Sequence, residues 1–377
     1  MRLILALALA AFSLVQAARV LLSLYALFLG AQPFTVGLLG AMLYVVPLLL
    51  VWGIGVMFDR IGGRRLLLFG SICGLVGMLL PFFSHTVPAL FGASALCGVS
   101  LAFSNVILQS LIGTLSAPAE RTRNISNFSL IAASGNFLGP LVVGFSIDHL
   151  GNAPACLVLA LSPLAGVALL VLRGHMLPRA QNTHPNPVNP FETLAEPGIR
   201  RMLALSSLMQ FGIDLFLFYL PIYGHSIGLS ASTIGVVMSS YAVAAFAARI
   251  DKPALIKRMG EEALLSATFF FGAGFFLLVP LSDSGLALAT VSFLFGICVG
   301  CGGPLTLMLM FKHSSGRPGE ALGLRLTVNY LTRMTGPTLC GLVAAALGLL
   351  PVFILNATMM VVGGVIGRPR RGERNSL

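Results

Sequence analysis

Gly55-Val56-Met57-Phe58-Asp59-Arg60-Ile61-Gly62-Gly63-Arg64-Arg65 is the stretch that decides the fold. Apolar sequence runs for about a membrane thickness on either side of it, so a carboxylate, arginines and a glycine pair are packed where two spanning helices must reverse. Asp59 closes the first helix, and Gly62 and Gly63 permit the tight turn. Arg60, Arg64 and Arg65 then lie among anionic headgroups on the inner face. The rest of the chain agrees with this reading: 377 residues, 57% hydrophobic, 9% charged, mean hydropathy +0.94. A soluble domain carries about 25% charged residues, so this is an all-α, polytopic integral membrane protein in a lipid bilayer. Twelve helices of about 20 residues take about 240 positions, which leaves short loops and no second folded domain.

The net charge of +11 invites a nucleic-acid partner, but the placement of the bases excludes one. Apart from Arg19 and Arg333, which lie inside spans, every one of the 23 Lys and Arg falls at a cytoplasmic end or loop. That is the positive-inside distribution of a multi-pass protein of the cell inner membrane with both termini cytoplasmic. The six cysteines, including Cys298-x-x-Cys301, sit in apolar segments without a second ligand pair, so they read as packing residues rather than a metal site. Residues 1–18 imitate a secretory leader, yet the segment has a counterpart later in the chain, so it is read as a span.

The spans are drawn at 3–30, 36–57, 66–83, 88–114, 124–147, 153–172, 202–223, 232–249, 262–281, 285–311, 321–348 and 351–367. Residues 1–172 form an N-terminal six-helix half and 202–367 a C-terminal one. A proline-rich cytoplasmic linker, 173–201, joins them, and 368–377 is a basic cytoplasmic tail. The halves repeat in register. Ser13-Leu14-x-Gln16, Tyr25 and Gly30 recur as Ser207-Leu208-x-Gln210, Tyr219 and Gly224, 194 positions on. Arg60-Ile61-Gly62 recurs as Arg258-Met259-Gly260, 198 positions on, and Gly139-Pro140 as Gly336-Pro337, 197 positions on.

The Gly-x-x-x-Asp-Arg-x-Gly-x-Arg-Arg pattern at 55–65 resembles the signature loop between helices 2 and 3 of the major facilitator superfamily of secondary transporters. The resemblance implies two parallel six-helix repeats about an axis along the membrane normal, with spans 1, 4, 7 and 10 lining a central cavity. It makes Gly55, Asp59, Arg60, Gly62, Arg64 and Arg65 a conformational latch, Asp59 lying near the start of span 11 when the inner side is closed. In the second half Lys257 stands where the repeat would put the acid, and Arg249 and Asp251 are read as an altered latch pair.

Arg19, Asp214 and Arg333 lie deep in spans, and each costs at least about 2.5 kcal/mol at mid-membrane, so they face a wet cavity or each other. Two readings stand for Arg19 and Asp214: a static salt bridge, or a site at which Asp214 couples transport to protons. Arg19 and Arg333 present planar forks suited to an anionic substrate. Gln16 and Gln210 share their helix faces with them. Asn105 and Gln109 offer hydrogen bonds either to a ligand or between helices. Tyr25 and Tyr219 line the cavity or anchor at the lipid interface. Gly135, Gly139, Pro140 and Gly144 on span 5 resemble the motif that the family's exporters carry there, and Gly336, Pro337 and Gly341 give span 11 a similar packing hinge.

No nucleotide-binding loop, nucleophile triad or metal-ligand cluster is present in the sequence, so neither a cofactor nor an enzyme activity is expected. The expectation is a monomeric secondary transporter of a small organic molecule by alternating access, proton-coupled, and an exporter (antiporter). The alternatives are an uptake permease (symporter) for an organic anion or metabolite and, in another class, a membrane sensor or polytopic lipid enzyme.

Overall fold

The computed structural model describes residues 1–115, 121–177, 194, 196–312 and 318–369. Thirteen α-helices carry the described chain: α1 Arg2–Phe28, α2 Pro33–Ile61, α3 Gly63–Phe83, α4 Val87–Leu115, α5 Arg121–Leu150, α6 Asn152–Arg173, α7 Pro197–Ser226, α8 Ala231–Met259, α9 Glu261–Leu278, α10 Gly285–Gly300, α11 Gly302–Lys312, α12 Pro318–Leu347 and α13 Leu350–Ile366. They are apolar nearly all round because lipid, rather than water, meets their outer faces. Ten spans in the described residues are long and apolar enough to cross a membrane, α10 and α11 together making one of them. α12, diluted by Arg325, Asn329 and Arg333, and the 17-residue α13 complete twelve passes.

Three pairs of turns repeat along the chain, each on a glycine with positive φ. Gly62 (85°) and Gly260 (81°) join α2 to α3 and α8 to α9; Gly30 and Gly228 (78° each) follow α1 and α7; Gly151 (88°) and Gly348 (84°) follow α5 and α12. Only glycine takes this backbone without a Cβ clash. Gly62 alone carries the turn in the 55–65 stretch, and Gly63 already belongs to α3.

The turns correct the repeat register of the first and seventh passes. Gly30 matches Gly228, 198 positions on, and both helix ends are closed by the same bonds: Leu29 N–H to Tyr25 O and Ala31 N–H to Ala26 O, against Ile227 N–H to Tyr223 O and Leu229 N–H to Gly224 O. Tyr25 therefore corresponds to Tyr223, not Tyr219, and Gln16 corresponds to Asp214, not Gln210. The packing of α5 on α1 and of α12 on α7 agrees: Gly139 meets Ser13 and Ala17, and Gly336 meets Phe211 and Leu215. The 194-position match was one turn out of step, and a 3.6-residue period hides such a slip.

Two further boundaries differ from the sequence reading. The pass drawn as 285–311 breaks at Cys301, because Pro304 has no N–H to give the Gly300 carbonyl and glycines flank the site. α7 begins at Pro197, inside the stretch read as linker, because proline is well suited to a first helical turn. Residues 178–193 of that linker and 370–377 of the tail lie outside the described residues.

The first six helices meet the last seven through two crossings that copy each other. Gly37 of α2 faces the Pro337 carbonyl of α12, and a Cβ there would lie 2.5 Å from that oxygen; Gly235 of α8 faces the Pro140 carbonyl of α5, with 2.6 Å. Gly341 closes on Gly37 and Phe34, and Gly144 on Gly235 and Ala231. Both crossings lie toward the end of the bundle that holds the Gly30 and Gly228 turns. There Asp148, at the end of α5, accepts bonds from the backbone N–H groups of Ala231 (2.9 Å) and Ser232 (2.8 Å). The carboxylate thus caps the partially positive N-terminus of α8 across the two groups of helices.

Candidate functional site

Between the crossings and the opposite, arginine-bearing end lies a cavity of about 380 Å³. Its inner end is a charge cluster built by three helices. α1 delivers Arg19, α7 delivers Asp214 and Gln210 one turn apart, and α12 delivers Arg333. Arg19 donates from Nη1 to Asp214 Oδ1 (3.1 Å) and from Nη2 to the Asp214 carbonyl (3.0 Å). Arg333 Nε donates to Asp214 Oδ2 (3.0 Å), to which Gln210 Nε2 also donates. Arg19 is 6% exposed and Asp214 2%, so this pair is buried, whereas the Arg333 side chain is 30% exposed and lines the cavity. A lone charge so buried would be costly, and here one carboxylate is shared by two guanidinium groups. Under both of them lies the Tyr44 ring, its centroid 5.9 Å from Arg19 Cζ and 5.3 Å from Arg333 Cζ.

Toward the mouth, Arg325 and Asn329 continue the α12 stripe and line the cavity. Arg325 Nε donates to Ser206 Oγ (2.8 Å) and its Nη2 to the Gly303 carbonyl (3.2 Å) in the first turn of α11. Asn105 Nδ2 donates to Tyr330 Oη (2.5 Å), and Gln109 Nε2 to Asn105 Oδ1 (2.6 Å), so α4 is tied to α12 across the cavity. The charged lining residues among those described are Arg19, Arg325, Arg333 and Asp214, a net charge of +2.

The residues singled out in the sequence separate into groups. Gln16, Arg19, Asn105, Gln210, Asp214 and Arg333 all line this one cavity. Tyr25 and Tyr219 do not. Tyr25 Oη lies 2.7 Å from His85 Nδ1 at the far end of the bundle, and Tyr219 Oη donates to the Pro337 carbonyl (3.5 Å); both side chains are buried, so neither faces a lipid interface. Gly135 and Gly139 admit α1 close to α5, and Gly144, Pro140, Gly336, Pro337 and Gly341 lie at the helix approaches described above. In the arginine-rich turn, Arg60 and Arg65 are exposed and Arg64 Nη2 reaches the Val171 carbonyl at the end of α6 (3.4 Å). Gly55 lies within α2, and the side chains of Asp59, Arg249 and Asp251 lie outside the described residues. Sequence reasoning missed Tyr44, Tyr330 and Asn136 on the cavity wall. Tyr44 could have been found: it is a tyrosine in the middle of an apolar span, where its hydroxyl needs a polar neighbour.

Comparison with known proteins agrees with this architecture. A family model described as Major Facilitator Superfamily matches residues 3–337, with a second match over 202–376. The chain is 30% identical over 244 residues to the multidrug efflux pump LfrA of Mycolicibacterium smegmatis, covering 64% of this chain and 42% of that protein. It is 25% identical over 322 residues to the multidrug resistance protein MdtG of Klebsiella pneumoniae, covering 82% and 77% respectively. In fold it is similar to a POT family transporter solved with a thioalcohol-conjugated peptide, with a TM-score of 0.82 at 12% identity, covering 97% of this chain and 94% of that one. Twelve passes, paired glycine turns and a central polar cavity thus accompany a profile match over most of the sequence, and the chain belongs to the Major Facilitator Superfamily.

Proposed function

We propose that this protein is a proton-coupled secondary transporter that moves a small organic molecule through the bilayer by alternating access. The observation that carries the reading is the shared carboxylate: Asp214 of α7 is held at once by Arg19 from the first six helices and by Arg333 from the last seven. Rocking of units 1–172 and 202–367 against each other would stretch the first pair and leave the second intact. The carboxylate would then pass between a paired, ionised state and one that accepts a proton. Gly55, Asp59, Arg60, Gly62, Arg64 and Arg65, with Arg249 and Asp251, would latch the arginine-bearing end. Gly135 to Gly144 and Gly336 to Gly341 would serve as the close-packed hinge.

The basic residues gathered at one end support a reading in which both termini are cytoplasmic in an inner-membrane protein, which would work as a monomer. The name of LfrA, a multidrug efflux pump, favours export, which with proton coupling would be antiport. Uptake by symport is the second reading, favoured by the cavity's positive charge. In proteoliposomes carrying an internal pH dye, a transported compound should elicit a pH change that Asp214→Asn abolishes. A compound moved with undiminished pH-gradient dependence by Asp214→Asn would refute the coupling role.

A further inference from the structure

We infer that the substrate is an amphiphilic organic monoanion whose carboxylate takes the place of Asp214 on Arg333 and Arg19 when Asp214 is protonated, so that anion and proton are carried together. The inference rests on the reading of Asp214 as the coupling group. Its observation is the unequal use of donors in the cluster. Arg333 spends only Nε on Asp214, its side chain is 30% exposed, and no bond from its Nη1 or Nη2 is found among the described residues. A guanidinium offers five N–H donors in a rigid fork, and its terminal pair matches the two oxygens of a carboxylate. Asp214, by contrast, has three of its roughly four acceptor sites taken. Oδ1 accepts from Arg19, Oδ2 accepts from Arg333 and Gln210, and its side chain is 3% exposed.

The sign of the charge then selects the ligand. Three guanidinium groups and one carboxylate line the cavity, and that carboxylate is occupied. A lipophilic cation would meet net repulsion with no unpaired carboxylate among the described lining residues, whereas an anion meets a partly unpaired fork. The remaining wall suits an apolar body, with Phe12, Val15, Leu101, Ile213, Leu217 and Leu326 around it. A volume of about 380 Å³ accommodates a small organic molecule.

The linkage to protons follows from rivalry for the same donors. The carboxylates of the ligand and of Asp214 cannot both hold Arg19 and Arg333, so adding a proton to Asp214 frees the fork for the ligand. The groups facing Asp214 are Arg19 from α1, Tyr44 from α2, Tyr241 from α8, and Arg325, Tyr330 and Arg333 from α12, with the neutral Gln210 on its own helix. Guanidinium and phenol groups as types do not titrate between about pH 5 and 8, so the proton that enters with the anion is assigned to the one carboxylate on the wall, Asp214. The bond changes balance: Asp214 gains one proton from water, and one anion enters, so the loaded site gains no net charge. Such co-loading is symport, the second of the two readings above and the one that the cavity's positive charge favours.

The test is equilibrium binding to the purified full-length protein in nanodiscs, using benzoate, benzenesulfonate, benzyl alcohol and tetraphenylphosphonium at pH 5.5 and 8.0. Benzenesulfonate carries a fixed charge, so any pH effect on it belongs to the protein. Both anions should bind at least tenfold tighter at pH 5.5 than at pH 8.0, and benzyl alcohol and tetraphenylphosphonium should not compete. Asp214→Asn should bind the anions tightly at both pH values, and Arg333→Gln should lose tenfold or more, with Arg333→Lys recovering part. The pH dependence of the unmodified protein needs no variant to fold. Anion binding that is absent, indifferent to pH, or weakened by Asp214→Asn overturns the inference, as does tetraphenylphosphonium binding that Asp214→Asn removes. If that happens while another compound still drives Asp214-dependent proton movement in proteoliposomes, the substrate class is wrong and the coupling role of Asp214 stands.

Discussion

The two glycine crossings make a quantitative prediction about which way the molecule faces. At Gly37 an added methyl would lie 2.5 Å from the Pro337 carbonyl oxygen, and at Gly235 2.6 Å from that of Pro140, where ordinary contact begins near 3.4 Å. Both obstacles are backbone, so no side chain can swing aside, and the crossing helices must part by about 0.8–0.9 Å. Overpacking of this kind costs about 1–3 kcal/mol. The strain exists only while this end of the bundle is closed, so Gly37→Ala or Gly235→Ala should shift the population toward the state open at that end by about 5- to 150-fold. Spin labels at Leu150 and Leu286, exposed on α5 and α10 near that end, would report the shift as a longer distance distribution in a background free of the six native cysteines. The structure also supplies the control. At Gly98 and Gly296 an added methyl would lie 2.6 and 2.5 Å from the Leu43 and Tyr241 carbonyl oxygens, but each of these contacts lies within one group of helices. Alanine there should lower thermal stability and leave the distance distribution unchanged. Equal effects of all four substitutions, or no shift from Gly37→Ala and Gly235→Ala, would refute the argument that the two crossings open and close.

Asp148→Ala removes the bidentate cap on α8, which at an exposed helix end contributes about 1 kcal/mol, and should shift the same distance distribution about fivefold in the same direction. Asp148→Asn should shift it less, because an amide oxygen still accepts. Asp214→Ala leaves the buried Arg19 and the partly exposed Arg333 without their carboxylate and should destabilise by about 3 kcal/mol in thermal unfolding, whereas the triple change Arg19→Met, Asp214→Leu, Arg333→Met should recover most of that loss. Tyr330→Phe strands Asn105 Nδ2 and should cost about 1 kcal/mol, read by the same assay. Pro304→Ala restores the missing N–H and should make α10 and α11 continuous, detectable as slowed amide exchange around Cys301.

Much of this could be read from the residues alone. The hydropathy and the placement of bases require a polytopic helical bundle, because no other all-apolar chain satisfies its own backbone in lipid. Gly62 marks the α2–α3 turn because the reversal demands positive φ, and Gly139-Pro140 with Gly336-Pro337 announce the duplication. Arg19, Asp214 and Arg333 declare themselves because an ionisable group in an apolar span must face a partner or a cavity. The sequence could not say that these three meet at one carboxylate, since they stand on helices more than a hundred residues apart. Nor could it find Tyr44 beneath them, or keep Tyr25 and Tyr219 out of the cavity. A helix repeats its faces every 3.6 residues, so a pattern displaced by one turn looks right until the packing of Gly139 on Ser13 and of Gly336 on Phe211 sets the register. Which residues share a face is a local property of the chain, and which faces meet is settled only when helices distant in sequence are packed together.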